Sequence, residues 1–225
     1  MTETKVFIHV GLHKTGTTFL QNEIFPKIPN INYQRHVDLT TRVVSGKVNL
    51  FSDENLDGGS YRIFNTVQHR YNIMENLHTL YPTAKIIICI RDRDKWLQSA
   101  YKQYVVAYYS YSFRDYCKRL DPKFTDFDEY IEKLRYWFDD VYVCHYEDLV
   151  KNPKEFVNGI CDFIGVETPE YENKIIYKGI TDGQVKFIRL FDKIFKSKLL
   201  HFMLSIGIRV VRKDETIKKW QSRKY

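Results

Sequence analysis

The four cysteines, Cys89, Cys117, Cys144 and Cys161, include no close pair and no Cys-x-x-Cys. A disulfide scaffold or zinc ribbon is therefore not the organising principle, and reduced thiols in a core are expected. No Asn-x-Ser/Thr acceptor occurs. No leader precedes the strand-like pattern that begins by Lys5, so a cytoplasmic location is expected. The longest apolar stretch, residues 199–211, is interrupted by His201 and Arg209. It is too short to cross a bilayer core of about 30 Å, which leaves a soluble or peripheral protein. No His/Cys/Asp cluster has metal-ligand spacing, so no metal is expected. Helix-turn-helix, zinc-finger and RNA-binding signatures are also missing, which argues against a nucleic-acid partner. Repeats and low-complexity linkers are absent too.

What is present is a globular composition, 44% apolar and 28% charged in 225 residues. The net charge of +7 is unevenly placed. Residues 1–173 hold 21 basic and 24 acidic side chains, a net of −3. Residues 174–225 hold 14 basic and 4 acidic ones, a net of +10. Attraction for polyanions or membranes therefore belongs to the C-terminal quarter, not to the body.

Apolar strand-like runs alternate with helical patterns. Residues 5–10 (KVFIHV) and 85–90 (KIIICI) read as buried strands, residues 48–51 as a weaker one, and 141–145 as another. Helices are expected over 17–25 (ended by Pro26), 63–80, 93–107 and 127–138. The last has Thr125 and Asp128 at capping-box spacing. A further helix starts at Asn152-Pro153-Lys154-Glu155. Continuously apolar strands alternating with helices predict an α/β fold, a parallel sheet flanked by helices. One domain is expected over 1–170, with a basic, mainly helical extension over 171–225.

Ligands of open α/β sheets bind beyond the carboxyl ends of the strands. There the first strand carries Gly11-Leu12-His13-Lys14-Thr15-Gly16-Thr17-Thr18. Its glycines have the spacing of the phosphate loop G-x-x-x-x-G-K-[ST], whose backbone amides cradle anions. The lysine lies inside the loop, however, and Thr17 takes its usual place. The strand over 85–90 ends in Arg91-Asp92, a cation where a nucleotide hydrolase needs a lone Asp for Mg²⁺.

These residues resemble the sulfotransferases that use 3′-phosphoadenylyl sulfate (PAPS). HKTGTT is similar to their 5′-phosphosulfate loop, with the lysine at the same internal position. Arg91 followed eight residues later by Ser99 is similar to their 3′-phosphate grip. His145-Tyr146-Glu147-Asp148-Leu149, Asn152-Pro153 and Phe163-Ile164-Gly165 resemble the late part of that fold, so the likeness spans about residues 5–165. It implies a P-loop NTPase-like sulfotransferase fold and PAPS as co-substrate. Its implied nucleotide contacts are His13, Lys14, Thr15, Gly16, Thr17, Thr18, Arg91 and Ser99. Lys178, in Ile176-Tyr177-Lys178-Gly179, is added as a late basic segment closing over the nucleotide. The resemblance also implies in-line attack at sulfur, with Lys14 stabilising the leaving phosphate.

A hydroxyl acceptor needs a base. Glu54, just past the second core strand, is the first choice, and Asp53 is its neighbour and competitor. His36 is the second choice. His9 reads as a strand histidine satisfied inside the sheet. The bland alternatives are a surface ion pair of Arg91 with Asp92 or Asp94, and an unremarkable helical Ser99. Thr17 and Thr18 can cap the helix as well as bind an anion.

The acceptor is expected to be a carbohydrate or glycolipid, by analogy with glycan-directed members. The tyrosines at 101, 104, 108, 109 and 111 suit either an acceptor wall or a core edge. In the tail, basic residues at 186, 189, 193 and 196 and apolar ones at 187, 190, 191, 194 and 195 form separate helical faces. That helix either docks on the body or makes peripheral contact with the inner face of a membrane. Two rivals stand beside the sulfotransferase reading, a P-loop kinase or NTPase and a non-catalytic anion- or membrane-binding protein.

Overall fold

The computed structural model describes residues 3–38, 40–107, 111–172 and 179–195, with positions 203 and 207. Lys178 and the tyrosines at 108 and 109 lie outside the described residues. Five strands form one sheet: β1 (Lys5–His9), β2 (Asn32–Arg35), β3 (Val48–Ser52), β4 (Lys85–Ile90) and β5 (Val141–His145). The order is β2-β3-β1-β4-β5, and every pairing is parallel. The helices are α1 (Thr17–Phe19, continuing as a π-turn through Leu20–Ile24), α2 (Val67–Leu80), α3 (Arg93–Ala107), α4 (Phe113–Arg119), α5 (Phe127–Trp137), α6 (Tyr146–Lys151), α7 (Pro153–Ile164) and α8 (Asp182–Phe195).

The continuous apolar strands are explained by two cores. Along β4, Ile86, Ile88 and Ile90 join Met74 of α2, Trp96 of α3 and Leu134 of α5 on one face. Ile87 and Cys89 join Leu20 and the α7 residues Val157 and Ile160 on the other. A strand whose two faces are both covered has no polar side to alternate with. All four thiols are free.

Several elements depart from expectation. β2 reads Asn-Tyr-Gln-Arg. It lies at the sheet edge, pairs only with β3, and needs no apolar run. Helix α5 is capped by Asp126, whose side chain accepts from the Glu129 N–H, and not by Thr125 with Asp128. Thr125 is occupied in a preceding 3₁₀ turn, its hydroxyl donating to the Pro122 carbonyl. At α7 the expected cap is found: Asn152 accepts from the Glu155 N–H and donates to its carboxylate at 2.9 Å.

The chain leaves β1 toward β2 and β3 on one side, and leaves the adjacent β4 toward β5 on the other. Such a switch point opens a crevice at the carboxyl end of β1, where the loop over 11–16 lies.

Candidate active site

Two left-handed residues shape the loop after β1. Gly16 has φ +91°, and Lys14 has φ +70°, unusual for a side chain with a Cβ. A Cβ on Gly16 would come within 2.6 Å of the Leu149 side chain, which together with its left-handed φ favours glycine there. The Thr15 hydroxyl donates to the Leu12 carbonyl at 2.7 Å and the Thr17 hydroxyl to the same oxygen at 3.2 Å. Both threonines are buried and brace the loop from within, while Thr18 is half-buried at its outer side.

The loop is fastened to the body through His13. Its carbonyl accepts from the indole N–H of the fully buried Trp96 at 2.9 Å. Its imidazole Nδ1 lies 3.2 Å from the Asp57 carboxylate. Its ring packs on Tyr61, centroids 4.6 Å apart. Asp57 ends a 3₁₀ turn, Glu54–Asp57, directly after β3, and is fully buried. It accepts from the Ser60 hydroxyl and the Gly59 N–H at 2.6 Å each. Burial alone would push His13 down, but the charge of Asp57 and its hydrogen bond outweigh that and hold the imidazole above its ordinary value. Burial alone would push Asp57 up, and the opposing charge and hydrogen bond of His13, with Arg70 behind, hold it below. Both shifts favour the charged form of each partner in one hydrogen-bonded pair.

Arg91, at the end of β4, donates to the Lys14 carbonyl at 3.2 Å, and its guanidinium stacks over Tyr146 at 4.4 Å. Its Nε is buried without a hydrogen-bond partner among the described residues. Neither Asp92 nor Asp94 pairs with it among those residues. Asp92 instead accepts from the Lys95 N–H at 3.0 Å and caps α3. Ser99 and Lys14 line one small cleft, together with Lys102, Gln103, Val106, Gly179 and Ile180. Lys102 lies one helical turn beyond Ser99. It pairs with Asp182, at the start of α8, at 2.8 Å.

The base candidates separate by position. Glu54 is half-buried on the 3₁₀ turn, near enough for its charge to raise His13 further. Asp53 is committed to structure: it caps that turn through the Asn55 N–H and accepts from the Val37 N–H. His36 follows the edge strand β2, 62% exposed and 3.7 Å from Asp53. His9 is buried in the sheet with Nδ1 2.8 Å from the Ser52 hydroxyl. Tyr101 and Tyr104 are core residues packed on Tyr116.

Thus Lys14 and Ser99 share one cleft and Arg91 is bonded to the Lys14 carbonyl. Glu54 lies on the turn after β3 where its charge reaches His13, and His36 stands after the outer strand. Three participants escaped sequence reasoning. Asp57 sits in Asp-Gly-Gly, which reads only as a turn. Trp96 reads as an ordinary core residue. Lys102 was visible as the residue three after Ser99, on the same helix face.

A phosphate-loop variant carrying Lys14 at the switch point of a parallel sheet, with Arg91 at the end of β4, forms the candidate site. The sulfotransferase family model matches residues 56–170, about half of the chain, and the chain belongs to that family. The match begins after the loop over 11–18, so that loop rests on its own motif and geometry. The fold aligns with the crystal structure of a sulfotransferase from Alicyclobacillus acidocaldarius at 17% identity and TM-score 0.53, covering 88% of this chain and 94% of that one. It also aligns with mouse sulfotransferase SULT7A1 complexed with PAP at 12% identity and TM-score 0.47, covering 84% and 65%. No curated protein sequence matches the chain.

The His13–Asp57 pair has a defined pH signature. His13's raised value contributes stability that is complete below its ordinary 6.5 and is lost as pH rises through the raised value. Asp57's lowered value contributes stability that is complete above its ordinary 3.8 and is lost as pH falls through the depressed value. Histidine NMR titration should find His13 above 6.5 in the native protein. In Asp57→Asn the main opposing charge is gone, desolvation dominates, and His13 should fall below it. An unmoved His13 would show that Asp57 does not hold the imidazolium.

Proposed function

We propose that the protein transfers a sulfuryl group from PAPS to an acceptor hydroxyl by in-line displacement. The observation that carries this reading is the shared cleft of Lys14 and Ser99, with Arg91 bonded to the Lys14 carbonyl. A donor with phosphate at both ends needs two anion grips, and a buried Arg91 Nε without a protein partner among the described residues suits an anionic ligand. PAPS supplies an activated sulfur and a good leaving group, adenosine 3′,5′-bisphosphate.

Lys14 and the loop amides hold the 5′-phosphosulfate, and Lys14 stabilises the charge that grows on the bridging oxygen as its bond to sulfur breaks. His13 contributes its backbone and a fixed imidazolium to the loop, and Thr15, Gly16, Thr17 and Thr18 shape and close it. Arg91 and Ser99 grip the 3′-phosphate, with Lys178 closing from the later segment. Glu54 takes the acceptor's proton as its oxygen bonds to sulfur. The imidazolium of His13 lies near that carboxylate as the opposite charge. His36 ranks second as base because it is exposed beside Asp53. The acceptor is a carbohydrate or glycolipid hydroxyl. This assignment rests on the glycan-directed character of the motifs.

Calorimetry separates this reading from the kinase or NTPase alternative. Adenosine 3′,5′-bisphosphate should bind with EDTA present, and binding of ATP–Mg²⁺ alone would overturn the reading. Glu54→Gln should keep that binding and lose about 10²–10⁴-fold in turnover. Unchanged turnover would move the base elsewhere.

Lys102 extends the 3′-phosphate grip by exchanging Asp182 for phosphate. Lys102→Met should weaken adenosine 3′,5′-bisphosphate binding by about tenfold, the scale of one charged hydrogen bond. Asp182→Asn should tighten it by removing the competing carboxylate. Equal affinity in both variants would take Lys102 out of the site.

A further inference from the structure

Helix α8 departs from the simple amphipathic expectation. It docks on the body through Val185, Ile188 and Asp192, all buried, with the Lys102–Asp182 ion pair at its start. Its larger apolar residues point away. Phe187 is 55% exposed, Leu190 58% and Ile194 63%. At about 100° per residue these three share one face, roughly opposite the docked one. Lys186 and Lys193, both exposed, run along the border of that stripe. The Phe187 and Phe191 rings, 6.4 Å apart, form its other border.

Three large exposed apolar side chains in register are costly in water and call for a covering surface. The charge around them selects which one. Residues 174–225 carry +10 while the remainder carries −3. The sequence after α8, residues 196–225, supplies 9 basic against 2 acidic side chains, which flank an apolar run with Leu199, Leu200, Phe202 and Leu204. An apolar stripe bordered by lysines and followed by basic-apolar sequence matches an anionic lipid surface: acyl chains take the stripe and headgroups take the cations. No described helix is long and apolar enough to cross a membrane, so the contact is interfacial.

We propose that the exposed face of α8, Phe187, Leu190 and Ile194 with Lys186 and Lys193, docks the protein on an anionic membrane surface. Asp182, Gly179 and Ile180 tie the start of the same helix to the anion cleft. Docking therefore sets the cleft beside the headgroup layer. An acceptor hydroxyl carried on a lipid would be presented there, without leaving the membrane. The docking surface stands independently of the donor chemistry.

The test is flotation of the full chain with vesicles of phosphatidylglycerol and phosphatidylcholine against phosphatidylcholine alone, both in EDTA. Native protein should float with the anionic vesicles and stay behind with the neutral ones. Phe187→Glu/Leu190→Glu/Ile194→Glu should lose at least tenfold in vesicle affinity. Its circular dichroism and its adenosine 3′,5′-bisphosphate binding should be unchanged, since the three residues lie on the outer face. Lys186→Glu/Lys193→Glu should bind more weakly and lose part of its salt dependence. Native protein that ignores anionic vesicles, or a triple glutamate variant that floats as well as native, would overturn the proposal. So would a triple variant that changes only from dimer to monomer, since the face would then be a self-association surface.

Discussion

The buried contact between the imidazole of His13 and the carboxylate of Asp57 is the constraint on which the site depends. A loop that gathers cations repels itself, and its backbone adopts left-handed conformations at Lys14 and Gly16 that most residues disfavour. Something must hold it. Asp57 does so from the opposite element, with its own charge satisfied by Ser60, Gly59 and His13. A buried carboxylate is costly unless its oxygens are occupied, and here they are. Trp96 secures the next atom along, the His13 carbonyl, from α3. The loop after β1, the turn after β3 and α3 thus meet at one residue, beside Lys14.

On the proposed reading, a body with net charge −3 binds a polyanionic nucleotide through a few placed cations. The attraction is local. Lys14 and Lys102 line one cleft, and Arg91, from the end of β4, is bonded to the Lys14 carbonyl beside it. Asp182 is the counterion of Lys102, the partner that the proposed 3′-phosphate would displace. The +10 of the C-terminal quarter has a different task. On α8 it flanks an outward apolar stripe, and the same helix begins at the cleft.

Much of the fold was legible because its strands are buried on both faces. KVFIHV and KIIICI leave no polar side to face water, and the alternation with helices implies parallel pairing. The anion loop was legible because glycine spacing and an internal lysine are local signals. β2 was not, since an edge strand of Asn-Tyr-Gln-Arg carries no buried pattern. Asp57 was hidden because its partner is 44 residues away, and a turn sequence looks the same whether its aspartate faces water or a buried histidine. The outward turn of α8 was hidden for a similar reason. Periodicity identifies an apolar face, but Val185 and Ile188 compete with Phe187 and Leu190 for the body. Only the packing against α3 decides between them.

The most direct measurement is transfer of labelled sulfate from PAPS to a panel of glycans, glycolipids and phenols in EDTA. Label should reach a hydroxyl acceptor with stoichiometric release of adenosine 3′,5′-bisphosphate, and Lys14→Ala should cut the rate by about 10²–10³-fold. Contradiction would be label retained on the nucleotide across the whole panel, or transfer undiminished without the Lys14 ammonium.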